Sequence, residues 1–269
     1  NPKRLKDLQG AVLISRPENG ELIAAVGSTQ DFTGFNRTID AKRQVGSLLK
    51  PVIYLSAIES GRYNWATQIE DSPISIPVEN NKSWTPKNYS GSGHGYVPLA
   101  QALANSYNLS AVRLGQEFGL STFKNNLVKF GVTSKIPNYP SIFLGAVDMS
   151  PMEMMSIYGN FATGGFKYPV KAIRTVADSN GRLLDRYGLN VQQTIEPSSA
   201  YILNYGLQQV MSSGTGKSAY NTFSSELKLA GKSGTTNDTR DSWFAGYSGN
   251  NLAVVWLGLD DNKVTGLTG

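Results

Sequence analysis

The chain has 269 residues, 40% of them hydrophobic, with 25 Lys and Arg against 20 Asp and Glu and a formal net charge of +5. That length suits one fairly large globular domain, or a domain with a small second lobe, and the dispersed charge excess, with no basic run or aromatic-interleaved basic stripe, argues against a nucleic-acid surface. Without cysteine there is no disulfide, thiol catalysis or thiolate metal site; the lone histidine, His94, disfavours a histidine-built metal site, and no apolar run approaches the ~18–20 residues of a membrane span.

The chain opens at Asn1-Pro2-Lys3 without an initiator methionine or a targeting segment, and it reads as a domain excised from a longer protein. Residues 11–15 and 22–26 are β-prone runs around Arg16-Pro17-Glu18-Asn19-Gly20-Glu21, a turn composition that predicts a hairpin. A loop with Phe32, Phe35 and Arg37 follows. Pro51 then sets a helix start, because proline has no N–H and is tolerated only in a first helical turn. The helix is predicted to begin at or just before Ser47 and to run through Val52, Ile53, Leu55, Ala57 and Ile58 towards Gly61. That puts the Ser47 hydroxyl at the positive end of the helix dipole, with Lys50 one turn along the same face. A hydroxyl beside an amine at a helix start is one arrangement for an activated serine nucleophile.

Residues 62–98 lack periodicity and are rich in Pro, Gly, Ser and Asn; they read as a long irregular excursion, functional or mobile. Residues 99–118 read as helical with a break at Asn105-Ser106-Tyr107-Asn108, and residues 123–130 as a short amphipathic helix. Another helix is predicted over 151–161, begun by Ser150-Pro151 and closed by Gly164-Gly165. Residues 170–178 and 181–184 suggest a second hairpin, and 198–211 a helix capped by Glu196-Pro197-Ser198. The end is β-rich over 227–234, 242–247 and 252–259, with Ser248-Gly249-Asn250-Asn251 as the turn of the last pair. Strands at both ends with helices between predict an α+β fold: a central antiparallel sheet formed by the N- and C-terminal strands and flanked by helices.

Three stretches carry candidate chemistry. Ser-x-x-Lys occurs at Ser47/Lys50, Ser121/Lys124 and Ser225/Lys228, and chance alone supplies roughly one such string in a chain of this size. Only the first is followed by a proline that fixes the pair in a first turn. Ser-x-Asn occurs at Ser106-Tyr107-Asn108, where it interrupts a helix, and at Ser248-Gly249-Asn250, which is turn chemistry. Lys232-Ser233-Gly234-Thr235-Thr236 ends a β run; a lysine, a hydroxyl and a glycine on a strand suit an extended peptide carboxylate, with Lys232 supplying charge and Gly234 leaving room. Gly214-Thr215-Gly216-Lys217-Ser218 imitates the tail of a phosphate-binding loop but lacks its first glycine and its preceding strand. His94 lies in the excursion with no acidic residue nearby in sequence, and is expected to be a surface histidine.

Ser-x-x-Lys, Ser-x-Asn and Lys-Ser-Gly, in that order, resemble the trio of the penicillin-binding protein and serine β-lactamase superfamily. The flanks are similar to the transpeptidase domain of bifunctional, class A penicillin-binding proteins, with a 1b-like Gly46-Ser47-Leu48-Leu49-Lys50-Pro51. They include Val45-Gly46, Trp84-Thr85-Pro86-Lys87-Asn88-Tyr89, Leu144-Gly145-Ala146, Gly214-Thr215-Gly216 and Asp241-Ser242-Trp243-Phe244-Ala245-Gly246. Ser233 stands where that family usually has threonine, and Tyr107 where it varies.

The resemblance implies a single transpeptidase domain over residues 1–269, with an all-helical subdomain beside the sheet, from a longer membrane-anchored protein at the periplasmic face of a bacterial inner membrane. It implies no cofactor and no metal. Its partners would be peptidoglycan stem peptides (a D-Ala-D-Ala donor and an amine acceptor) and β-lactam antibiotics, with no nucleic acid, and with the membrane reached only through parts outside this chain. By the same resemblance Ser47 is the nucleophile, Lys50 its base, Ser106 a proton relay and Lys232 its partner. Asn108 holds the substrate amide; Lys232, Ser233, Gly234 and Thr235 form the carboxylate end; the N–H groups of Ser47 and Thr235 form the oxyanion hole. A β-lactamase of class A carries a deacylating Glu in a Glu-x-x-Leu-Asn setting, and no such string occurs; Glu153 and Glu196 lie in other contexts. A D,D-carboxypeptidase and a non-catalytic β-lactam sensor share the trio and are separated only by assay.

Overall fold

The computed structural model describes residues 7–29 and 34–267, so Phe32 and Asn1-Pro2-Lys3 lie outside the described residues. The chain begins with a hairpin, β1 (Gln9–Ser15) and β2 (Leu22–Val26), turned at Arg16 to Glu21. A tight turn over Gly46–Leu49 leads into α1 (Lys50–Glu59). Next come β3 (Gln68–Asp71), β4 (Gly95–Pro98), α2 (Leu99–Ala104), α3 (Asn108–Lys129), α4 (Pro151–Ala162) and α5 (Pro197–Ser212). The chain closes with β5 (Ala230–Thr235), β6 (Ser242–Tyr247) and β7 (Leu252–Gly258).

Five of these strands form one antiparallel sheet in the order β5-β6-β7-β1-β2. The two chain ends meet at its centre, where Val12 pairs with Val255 and Leu13 with Val254. This is the α+β arrangement expected from strands at both ends. Buried and half-buried residues alternate along β7, as a strand with one face on a core requires. α4 packs on β7 and β1, and α5 on β5. α1 runs between α3 and α5, and every residue from Lys50 to Ile58 is buried. A helix apolar on all sides belongs in a core, and this one carries a buried lysine at its first position. Trp243 Nε1 donates to the Gln44 carbonyl at 2.8 Å, tying the sheet to the segment that enters the Gly46–Leu49 turn.

Some local expectations shift. The helix read over 99–118 does break at Ser106, but its second half continues through a kink at Gly119 (φ 82°, ψ 157°) and absorbs the separate helix expected at 123–130. The 62–98 excursion is not irregular throughout. β3 pairs with β4 across its two ends, and residues 76–78 pair with 82–84 in a small hairpin. The helical side of the molecule is therefore not all-helical. Its hydrogen-bonded ends lie far apart in sequence, so no local period reveals them. The second hairpin forms between 175–177 and 183–186.

Candidate active site

Ser47 sits in a 3₁₀ turn, and the α-helix proper starts three residues later at Lys50 with Pro51 in its first turn. The proline dates the start correctly within one turn. The tighter turn arises because Gly46 takes a left-handed φ of +54°. That glycine is fixed from two sides. A Cβ on it would lie 2.6 Å from the Thr235 carbonyl, and a Cβ on Gly145 would lie 1.9 Å from the Gly46 carbonyl. The Gly46 N–H donates to Gly145 O at 3.2 Å, and Tyr158 of α4 donates its hydroxyl to Leu48 O at 2.8 Å. The Ser47 turn is thus wedged between the end of β5 and the Leu144-Gly145-Ala146 loop.

A cleft of about 590 Å³ opens over this turn, lined by Ser47, Ser106, Asn108, Ser233 and Thr235 among others. Beneath it two lysines are fully buried, Lys50 from α1 and Lys232 from β5. Both reach Ser106. Lys50 Nζ donates to the Ser106 carbonyl at 2.5 Å and to Asn108 Oδ1 at 2.6 Å, and lies 3.2 Å from Ser106 Oγ. Lys232 Nζ donates to Ser106 Oγ at 2.9 Å and to the Ser233 carbonyl at 3.0 Å. Ser106 carries a left-handed φ of +58°, a conformation that costs a non-glycine residue energy and concentrates at functional sites. The Ser47 hydroxyl makes no hydrogen bond among the described residues. The Lys50 amine, expected beside Ser47, is engaged with Ser106 and Asn108.

Burial lowers both amines. Burial, and then the neighbouring charge of Lys232, push Lys50 well below the ordinary lysine range, against an opposing pull from Asp71. Burial alone brings Lys232 down to about 7. An amine that is neutral near physiological pH accepts a proton, which an ordinary lysine cannot do.

The third motif divides by face. Ser233 and Thr235 line the cleft, whereas Lys232 and Gly234 point the other way. Lys232 therefore meets Ser106 under the cleft floor rather than presenting a charge at its wall. Gly234 was expected to leave room for ligand. A Cβ there would instead meet the Val45 carbonyl at 2.8 Å and Leu48 Cγ at 3.0 Å, so the glycine lets β5 approach the Ser47 turn. Asn108 is equally committed: its Oδ1 accepts from Lys50, and its Nδ2 donates to the Lys87 carbonyl at 2.7 Å. The other two Ser-x-x-Lys strings lie elsewhere, on α3 and in an exposed 3₁₀ turn, and Ser248-Gly249-Asn250 is the β6–β7 turn.

Several neighbours escape a linear reading. Thr215, set aside with the false phosphate loop, lines the cleft and accepts the Ser233 hydroxyl at 2.9 Å. Its own N–H donates to Ala104 O at 3.0 Å, so the Gly214-Thr215-Gly216 turn bridges α2 to β5. The flanking glycines were the available signal. His94 is not a plain surface histidine. Its Nδ1 lies 2.7 Å from Asp71 Oδ2, and its ring stacks on Tyr107 at 4.0 Å between centroids. The acidic partner is 23 residues away, on the paired strand. Glu153, by contrast, closes a capping box with Ser150 and accepts from Thr133 and Ser134, away from the cleft.

Comparison with known proteins agrees with this geometry. Residues 10–268 match the family described as the penicillin binding protein transpeptidase domain. The chain is 40% identical over 267 residues to penicillin-binding protein 1B of Vibrio cholerae, covering 98% of this chain and 34% of that protein. It is 35% identical over 274 residues to penicillin-binding protein 1B of Escherichia coli, covering 99% of this chain and 32% of that one. The chain therefore spans about a third of the length of these relatives. Among solved structures, penicillin-binding protein 1A from Haemophilus influenzae superposes with a TM-score of 0.91 at 26% identity, covering 98% of this chain and 45% of that one. PonA1 from Mycobacterium tuberculosis in complex with penicillin V, at 24% identity, shares the fold with a TM-score of 0.84 over 97% of this chain and 73% of that one.

Proposed function

The chain belongs to the penicillin binding protein transpeptidase family, and on that premise we propose that it is a D,D-transpeptidase domain acting through an acyl-enzyme on Ser47. The observation that carries the reading is the pair of fully buried lysines, Lys50 and Lys232, converging on the Ser106 hydroxyl beneath the cleft that holds Ser47. The donor is a stem peptide ending in D-Ala-D-Ala, laid along the free edge of β5 as an added strand with its carboxylate at Ser233, Thr235 and Thr215. Ser47 Oγ attacks the penultimate carbonyl, and its proton passes to neutral Lys50. The oxyanion forms against the N–H groups of Ser47 and Thr235, a contribution of about 3–4 kcal/mol per donor. Collapse breaks the peptide C–N bond. The departing D-Ala nitrogen takes its proton from Lys50 through Ser106, leaving the acyl group as an ester on Ser47. The amine of a second stem then attacks the ester, gives its proton back along the same route and becomes the cross-link.

β-Lactams enter the same sequence. Their ring C–N bond opens, the amine stays tethered, and the ester on Ser47 persists. Asp238 is the only carboxylate lining the cleft among the described residues, and Glu153 is occupied structurally away from it. The site of action is the outer face of a bacterial inner membrane, reached through parts of the protein outside this chain. Among the described residues no helix is long and apolar enough to cross a membrane.

Intact-mass analysis after incubation with a fluorescent penicillin tests the acyl-enzyme. The native chain gains one adduct mass and Ser47→Ala gains none; an adduct on Ser47→Ala, or none on the native chain, refutes the assignment. Cross-linked dimers from D-Ala-D-Ala stems, made by the full-length protein, separate transpeptidation from carboxypeptidase release.

A further inference from the structure

The Ser-x-Asn motif is held by a device on the 62–98 excursion. α3 begins at Asn108, and its N-cap, Tyr107, offers no side-chain cap. Its first amides are instead capped from elsewhere. Asn88 Oδ1 accepts from the N–H of Asn108 at 2.7 Å and of Leu109 at 3.2 Å. Asp71 Oδ1 accepts from the N–H of Ser110 at 3.0 Å and from its hydroxyl at 2.8 Å. Asp71 is fully buried, and its second oxygen accepts from Asn88 Nδ2 at 2.6 Å and from the His94 N–H at 3.2 Å. A carboxylate at a helix N-terminus satisfies both the orphan donors and the dipole. Burial opposes the Asp71 charge, but hydrogen bonds from His94, Ser110 and Asn88 outweigh it and hold the carboxyl below its ordinary range.

An ionised carboxylate only accepts. The 2.7 Å contact with Asp71 therefore puts the His94 proton on Nδ1, donating to Oδ2. That hydrogen bond fixes the plane of the imidazole, and the imidazole stacks on the Tyr107 ring at 4.0 Å and 7° between planes. Tyr107 lies between the two working residues of the motif, one step after the left-handed Ser106. The chain of contact thus runs from Asp71 through His94 and Tyr107 to Ser106, and from Asp71 through Asn88 to Asn108.

We propose that His94 is a positioning residue for acylation: donating to buried Asp71 and stacked on Tyr107, it holds the Ser106–Asn108 turn in the orientation that both lysines require. The inference rests on the transpeptidase reading above. His94 touches neither Ser47 nor the reacting carbonyl; it acts only through Tyr107 and Asp71. Losing it frees the turn to drift, and a misplacement of about 1 Å at a reacting group costs about 100-fold in rate.

Stopped-flow acylation by a fluorescent penicillin, with the titratable site fraction measured for each protein, is the test. His94→Ala removes ring and donor; His94→Phe keeps the ring; His94→Asn keeps a donor at the Nδ1 position. We expect the acylation rate constant per titratable site to fall about tenfold in His94→Ala and about threefold in each of the other two, with the non-covalent binding constant within twofold of native. A purely structural histidine lowers the titratable fraction and the melting temperature but leaves the rate per site unchanged, and that outcome overturns the proposal. So does native acylation per site in both His94→Asn and His94→Phe, because each variant lacks one of the two contacts. Acylation of the native chain in the same experiment keeps a failure here distinct from a failure of the acyl-enzyme reading.

Discussion

Gly145 lies outside the three motifs, yet its missing side chain sets the position of the Ser47 turn. A Cβ there would stand 1.9 Å from the Gly46 carbonyl oxygen, when real Cβ contacts stay beyond 3.0 Å, so Gly145→Ala forces a separation of 3.0 − 1.9 = 1.1 Å. The obstructed carbonyl belongs to the same rigid peptide unit as the Ser47 N–H, one of the two proposed oxyanion donors. Relief of the clash therefore tilts that donor. A misplacement of about 1 Å costs about 100-fold in rate, or about 2.7 kcal/mol at the transition state. The left-handed φ of +76° adds a backbone cost of about 1–2 kcal/mol. Gly164 supplies the control: its φ is +74° but nothing lies within 4 Å of its absent Cβ. Gly164→Ala pays the same backbone cost, a melting-temperature loss of about 2–8 °C, and keeps native acylation. Penicillin acylation kinetics and thermal melts on both variants are the assay. If folded Gly145→Ala acylates as fast as Gly164→Ala, Ser47 is not positioned by this wedge and the reasoning fails.

Three further outcomes follow from the same coordinates. Lys232 falls from 10.5 in the unfolded chain to about 7 in the folded one. Between those values the unfolded chain binds a proton that the folded chain does not, so stability rises with pH across the window and is lost as pH falls towards 7. Unfolding free energies from urea titrations between pH 7 and 10 should rise for the native chain relative to Lys232→Met by up to ~1.4 kcal/mol per pH unit; parallel curves would show that the amine is not desolvated. Glu153→Ala removes the acceptor of the Thr133 and Ser134 N–H groups and the reciprocal half of a capping box. It should cost about 3–5 kcal/mol in stability yet leave the acyl-enzyme lifetime per folded site unchanged, and a changed lifetime would return Glu153 to the chemistry. Thr215→Val strands the Ser233 hydroxyl, a loss of about 0.5–1.5 kcal/mol, so the apparent binding constant for carboxylate-bearing penicillins should weaken about 2- to 12-fold with little change in melting temperature. An unchanged constant would remove Thr215 from the carboxylate end.

What was legible in the sequence was what local chemistry dictates. Pro51 dated the start of α1, β-rich runs and the Ser248–Asn251 turn marked the strands at 242–247 and 252–258, and Ser150-Pro151 with Gly164-Gly165 marked α4. What was not legible depends on which distant atom fills a space. Gly234 reads as room for a ligand until the Val45 carbonyl is found there. His94 reads as solitary because its acid, Asp71, ends β3 while His94 itself stands one residue before β4, and two-stranded pairs leave no period in a polar, proline-rich stretch. Thr215 reads as loop because its partners, Ala104 and Ser233, come from α2 and β5. The family resemblance named the residues proposed to react; the neighbours proposed to aim them emerged only from the fold.

The strained backbone at Ser106 follows from the proton inventory of the site. A neutral amine has two N–H donors and one lone pair. Lys50 Nζ faces two carbonyl-type oxygens, Ser106 O at 2.5 Å and Asn108 Oδ1 at 2.6 Å, and one hydroxyl, Ser106 Oγ at 3.2 Å. Carbonyls only accept, so they take both N–H groups and leave the lone pair for a hydroxyl. An ammonium would fill all three contacts by donation and would have nothing with which to receive a proton under the proposed mechanism. The arrangement works only if one residue presents its carbonyl and its hydroxyl to the same amine while the hydroxyl also reaches Lys232 at 2.9 Å. The left-handed φ of +58° at Ser106 is the turn that delivers both oxygens together. Its cost, about 1–2 kcal/mol, is offset by the trans cap from Asn88 and Asp71, which is why the second motif needs a segment 20 to 39 residues upstream to hold it.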